Sequence, residues 1–188
     1  MNDKETGKDI EYRQLKRHPK LSSTWQHSYS NVMGSLCQGV GRGTKGLKRQ
    51  RVAGTDIFRV MRYADIPRDR RKEIAHVKVV CKVRPQKTDP NRTRITVAGN
   101  SISYPGDVGT PTASLDLVKL MLNSVLSRPG ARFACFYATN FYLQTPEMDW
   151  KEYVKIKFDN ITVEFREEYG LTPGPPLVHH GWVYFSVV

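Results

Sequence analysis

The chain has 188 residues, 39% hydrophobic and 26% charged, a balance that excludes a disordered chain and suits one domain with its own core. Its net charge is +12, which points toward polyanionic partners. No apolar run approaches the roughly 20 residues that a membrane span needs, and the charged Met1–Lys20 segment lacks the apolar core of a secretory signal. The cysteines, Cys37, Cys81 and Cys135, are odd in number, widely spaced and without a C-x-x-C pair. That argues against a disulfide framework or a zinc site and for a reducing intracellular compartment, cytoplasm or nucleus.

The excess charge is local. Between Arg42 and Arg94 there are 17 Lys/Arg against 5 Asp/Glu, a surplus equal to the net charge of the whole chain. Such a concentrated basic field suits nucleic acid; the alternative is a basic surface kept for solubility.

Residues 1–50 read as a polar, basic N-terminal extension with short helices and a glycine-rich linker. A short helix is expected around Ile10–Arg17, closed by Pro19. Val32, Met33, Leu36, Cys37 and Val40 fall at helical spacing. A loop follows with a G-x-G-x-x-G pattern at Gly41, Gly43 and Gly46. A dinucleotide fold needs a buried strand before that pattern; helix precedes it here, so a basic linker is the better reading.

From His76 the period changes to two. Val77, Val79, Cys81 and Val83 alternate with Lys78, Val80, Lys82 and Arg84, and Ile95 and Val97 alternate with Arg94 and Thr96. Pro85–Asn91 is rich in turn formers. The spacing predicts a β-hairpin over about 76–98 with one apolar face, and a basic face carrying Lys78, Lys82, Arg84, Arg92 and Arg94. A helix over about 111–128 follows, with Thr110 as cap and Pro111 in its first turn. Its broad stripe of Leu115, Val118, Leu122 and Val125, widened by Leu117, Met121 and Leu126, predicts a well-buried helix. Phe133–Leu143 reads as a strand and turn, Tyr153–Phe158 as a half-buried strand and Val163–Tyr169 as a short acidic helix. Pro173–Pro176 reads as a loop. Trp182–Val188 is an apolar strand at the terminus, expected to lack a covering neighbour and to mark a polypeptide cut short. His179 and His180 are adjacent, so an extended chain sends them to opposite faces, against joint metal ligation.

Three blocks carry a resemblance: VCKVRPQKTDPNRTRITVAG (Val80–Gly99), YPGDVGTPTASLDLVKLMLNSVLSRPG (Tyr104–Gly130) and NFYLQTP (Asn140–Pro146). Together they resemble the reverse transcriptase of Ty1/copia-type retrotransposons, from about Tyr12 to the C-terminus. The resemblance implies an α+β fold, an incomplete fingers and palm: an antiparallel or mixed sheet with a packed helix and a basic hairpin, spanning residues 51–188. It implies an RNA-directed DNA polymerase that uses Mg²⁺ and deoxynucleoside triphosphates. The first catalytic aspartate of such enzymes falls on Tyr137, whose phenol, with a pKa of about 10, is neutral at pH 7 and cannot replace a carboxylate on magnesium. The residue that screens the ribose 2′-hydroxyl falls on Tyr142, and the fingers residues contacting the triphosphate on Arg94, with Arg92 or Lys82 nearby. The paired aspartates of the Y-x-D-D hairpin have no counterpart here, and Glu147 and Asp149 read as a solvated turn.

Alternatives accompany each assignment. Tyr137 shares a strand face with Phe133 and Cys135, which favours packing. Tyr142 is a sugar gate or part of the core, and Arg92 and Arg94 hold phosphate or line a solvated face. Three functions follow: a reverse-transcriptase fragment inactive on its own, a nucleic-acid-binding remnant acting through basic fingers, or a basic structural protein of a ribonucleoprotein. A barrel or an all-helical fold would favour the last. An incomplete palm also predicts self-association through an uncovered sheet edge.

Overall fold

The alternation read in the sequence builds a mixed sheet covered on one face by helices. The computed structural model describes residues 10–41, 51–87, 89–103, 105–106, 112–136, 147 and 149–188. The chain divides into two compact units, residues 1–103 with 146–188 and residues 104–145.

In the first unit, α1 (Tyr12–Leu15), α2 (Ser22–Leu36), β1 (Phe58–Met61), β2 (Ala75–Val83) and β3 (Asn91–Val97) precede the excursion into the second. The second unit contributes α3 (Leu115–Leu126). The chain then adds β4 (Glu152–Lys157), α4 (Val163–Glu168), β5 (Val178–His179) and β6 (Trp182–Val187) to the first. The strand order is β1–β6–β4–β2–β3, with β5 also on β6. β2 and β4 run parallel, in register at Ala75 with Val154 and at His76 with Lys155; the other pairs are antiparallel. The class is therefore α+β with a mixed sheet, neither a barrel nor all-helical.

Trp25, Tyr29 and Met33 recur every fourth residue along α2, so they share one face. All three are buried, against Val154, Ile156, Val183 and Phe185 of the sheet and Phe165 of α4. Each such side chain contributes about 1.5–3 kcal/mol by leaving water. Ser28, on the same helix, pins it to β3: its Oγ donates to the Asn91 carbonyl at 2.7 Å and accepts the Thr93 N–H at 3.0 Å. Thr162 caps α4 by accepting the Phe165 N–H, and the Tyr169 hydroxyl beyond it donates to the Gly39 carbonyl at 2.8 Å. Gly39 has φ +97°, a left-handed turn that lets the chain leave α2 and return toward Val52. On the opposite face of the sheet, Ile66 and Ile74 cover Tyr153 and Tyr184.

Several expectations are corrected. The helices of the first 50 residues supply Tyr12, Leu15, Trp25, Tyr29, Met33 and Cys37 to the main core, where the sequence reading has an extension. Within the first unit, α1, α2 and α4 pack on the sheet. α3, expected to be well buried, leaves Leu115, Leu120, Met121 and Leu126 exposed, because no described element of its own unit covers the stripe. Its cap is Ser114, whose Oγ accepts the Leu117 N–H at 3.2 Å; Thr110 and Pro111 lie outside the described residues. Phe133–Phe136, the described part of the expected 133–143 strand and turn, forms no strand, and Phe133 and Phe136 are exposed. A strand is held by ladder bonds to a neighbour, and among the described residues none pairs with this segment. β6, expected to lack a partner, is the most paired strand of the sheet, held between β4 and the β1/β5 side. The unforeseen β1 supplies that second neighbour. Among the described strands, β1 and β3 end the main order, and they carry Arg59, Arg92 and Arg94, charges that discourage edge-to-edge pairing; the two-residue β5 pairs with β6 alone.

Candidate nucleic-acid interface

The β2–β3 hairpin forms because two runs of β-branched residues alternate with cations and are joined by a Pro- and Asp-containing turn, closed by the Arg84 N–H on the Pro90 carbonyl at 2.7 Å. Strand alternation then sorts the side chains. Val77, Val79, Ile95 and Val97 pack against the core, with Cys81 and Thr93 buried among them. Lys78, Val80, Lys82, Arg92, Arg94 and Thr96 are exposed on the other side. The register sets Lys82 opposite Arg92 and Val80 opposite Arg94. Three residues named from the sequence, Lys82, Arg92 and Arg94, are thus brought onto one surface with Lys78. Arg84 lies just past β2, half-buried, so it departs from that face. It lines a groove of about 410 Å³ between α2 and the hairpin turn, together with Asn31, Lys87, Asp89 and Arg92.

The basic segment separates into two kinds of cation. Arg51 pairs with Glu168, Arg59 with Asp56 and Glu147, Arg62 with Asp65, and Arg70 with Glu73 and Glu152. The hydrogen bond from Arg59, then that from Gln38, holds the Asp56 carboxyl below its usual range. Arg70 also lies 4.1 Å from the Trp150 ring centroid. Among the described residues, by contrast, no carboxylate pairs with Lys78, Lys82, Arg92 or Arg94. Like charges directly across a strand pair destabilise it, so the Lys82–Arg92 pair carries a standing repulsion that an anion relieves.

The face continues beyond the hairpin. The parallel step to β4 sets His76 beside Lys155, and the antiparallel step to β6 sets Lys157 beside Trp182. Lys155 and Lys157 place their ammonium groups 5.3 and 5.5 Å from the Trp182 ring centroid, and the His76 ring meets that indole edge-on at 5.2 Å. Partial burial, then Lys155 and Lys157, push the His76 imidazole below its usual value. No exposed position of β2, β3, β4 or β6 on this side is Asp or Glu. Lys155, Lys157, His76 and Trp182 were not singled out from the sequence. Each reads alone as an ordinary half-buried strand position, and only the strand order assembles them.

Other candidates resolve differently. Tyr137 and Tyr142 lie outside the described residues, as do Gly43 and Gly46. The chain before Gly41 is α2 followed by an isolated bridge, so the strand a dinucleotide fold needs is not there. His179 stacks on Tyr63 with centroids 4.3 Å apart, while His180 and Gly181, at φ +48° and +76°, form the two-residue turn between β5 and β6. The magnesium implied by the resemblance requires carboxylate oxygens. Position 137 offers a neutral phenol, and Glu147 is engaged by Arg59. These residues do not fit the ion.

Comparison of the chain with known protein families, with curated protein sequences and with solved structures finds no match. Among the described residues no helix is long and apolar enough to cross a membrane.

Proposed function

We propose that this chain binds nucleic acid through the outward face of the β2–β3 hairpin. In this reading it is a fingers and partial-palm element of the copia reverse-transcriptase type that does not catalyse nucleotide transfer on its own. The observation that carries the binding is the set of Lys78, Lys82, Arg92 and Arg94, exposed side by side, without carboxylate partners among the described residues, and with Lys82 directly opposite Arg92. Cations held that way lower their mutual repulsion when phosphates approach and release the counterions of the nucleic acid, which is the main source of affinity in such complexes. Of the expected order hairpin, helix, strand, strand, the hairpin, the helix and the later strand β4 occur in sequence, while the described part of the first strand, Phe133–Phe136, forms none. The proposal of inactivity rests on Tyr137. Two-metal nucleotidyl transfer as the resemblance implies it needs a charged ligand at that position, and a neutral phenol supplies none.

Two measurements test this reading. Fluorescence anisotropy with labelled RNA and DNA is expected to show affinity that falls steeply as salt rises; affinity flat from low to moderate salt would sink the binding proposal. A primer-extension assay on an RNA template with magnesium is expected to show no product, and measurable extension would overturn the inactivity.

A further inference from the structure

We infer that Trp182, flanked by Lys155 and Lys157, is a base-stacking subsite at the end of the basic face, which makes the ligand single-stranded nucleic acid rather than duplex. The inference rests on the binding function proposed above and adds the ligand class.

The geometry is a path. Along β2 from Lys82 to His76 the strand advances about 20 Å, and the steps from β2 across β4 to β6 add about 10 Å. Phosphate-binding cations occur along all of it: Lys82, Arg92, Arg94 and Lys78 first, then Lys155 and Lys157. At its end lies an indole with two ammonium groups within 5.5 Å of its centroid and no carboxylate on the exposed strand positions around it. An aromatic face beside paired cations is the arrangement that single strands select. Their bases are free to stack on the ring while the adjoining phosphates meet the charges. In a duplex the bases are already stacked on one another, so only the phosphates remain available. Of the other tryptophans, Trp25 is buried in the core; Trp182 is half-buried, packed on one side against the cluster of Ile66, Ile74, Tyr153 and Tyr184.

The test uses the full chain and three probes of equal length: an oligothymidylate, an abasic oligonucleotide with the same phosphates, and a duplex. The wild-type protein should bind oligothymidylate roughly tenfold more tightly than the abasic strand, the gain expected of one stacked base. It should also prefer oligothymidylate to the duplex. Oligothymidylate should quench tryptophan fluorescence. Trp182→Phe should abolish the quench and keep most of the affinity, and Trp182→Ala should reduce oligothymidylate affinity to the abasic level. Equal wild-type affinity for the oligothymidylate and abasic probes would overturn the stacking subsite and leave the phosphate-binding function standing. This comparison needs no variant that folds. A quench that survives in Trp182→Phe would overturn it as well. Failure of every probe to bind at low salt would instead refute the binding function itself, and the subsite with it.

Discussion

Neutralising the hairpin face gives the sharpest test, because it moves binding and stability in opposite directions. In the variant Lys82→Gln/Arg92→Gln/Arg94→Gln, three exposed side chains without described carboxylate partners lose their charge, and no core contact changes. For single strands each neutralised phosphate contributes about 0.7 to the slope of log affinity against log salt. Losing three contacts should therefore flatten that slope by about 2. Over a fourfold rise in salt, from about 50 to 200 mM, the wild type should lose roughly 16-fold more affinity than the variant. Removing the directly opposed Lys82–Arg92 pair should at the same time stabilise the hairpin, by about 0.2–1 kcal/mol. The assays are anisotropy titrations across salt and urea unfolding of the same preparations. A matched control, Arg62→Gln/Arg68→Gln/Lys72→Gln, removes the same formal charge from the segment that precedes β2. If the control flattens the slope equally, bulk charge explains the binding and the hairpin face has no special role. A hairpin variant that unfolds more readily would refute the reading of that face as strained by repulsion.

Three further outcomes follow from the packing. Ser28→Ala should cost about 2–3 kcal/mol in urea unfolding, because it leaves the Asn91 carbonyl and the Thr93 N–H at the α2–β3 contact without their side-chain partner; a loss below about 0.5 kcal/mol would mean that water replaces the hydroxyl. Gly54→Ala should destabilise by about 1–3 kcal/mol, since a Cβ there meets the Cys37 carbonyl oxygen, a backbone atom that cannot move aside; an unchanged melting temperature would contradict that close approach. Burial, and secondarily Asp56, push the Cys37 thiol up from 9.0 to about 12. The unfolded chain thus releases this proton first. The contribution is full below pH 9 and is lost as pH rises toward 12, at no more than about 1.4 kcal/mol per pH unit. Melting temperatures measured from pH 8 to 11 should fall, and Cys37→Ala should fall less steeply over the same range; parallel profiles would refute the assignment.

The hairpin was legible in the sequence because its information is local. Val77, Val79 and Cys81 alternate with Lys78, Val80 and Lys82, and alternation alone sets which face is basic. The first half of α2 was not legible. Its large buried side chains are Trp25 and Tyr29, with Ser28 and Ser30 buried beside them, set among Ser, Thr, His and Gln that lower the apolar signal. β1 is four residues with an arginine inside it, too short to show a period. That omission propagated, since without β1 the strand β6 reads as an unpartnered terminus.

The wider interface was illegible for a stronger reason. Lys155 stands beside His76, and Trp182 beside Lys157, only because β4 enters the sheet between β2 and β6. That placement rests on two registered pairs between β2 and β4. One of them, Ala75 with Val154, is buried at 0% and 1% exposure and forms part of the core that α1, α2 and α4 cover. Its neighbour, His76 with Lys155, lies on the opposite side and belongs to the basic face. Strand alternation therefore couples core and surface at this point: the packing that seats Ala75 on Val154 is what joins the cations of the hairpin to the indole of Trp182. No local pattern encodes such a contact between residues so far apart in the chain. It follows from how the apolar faces of separate strands find a common core.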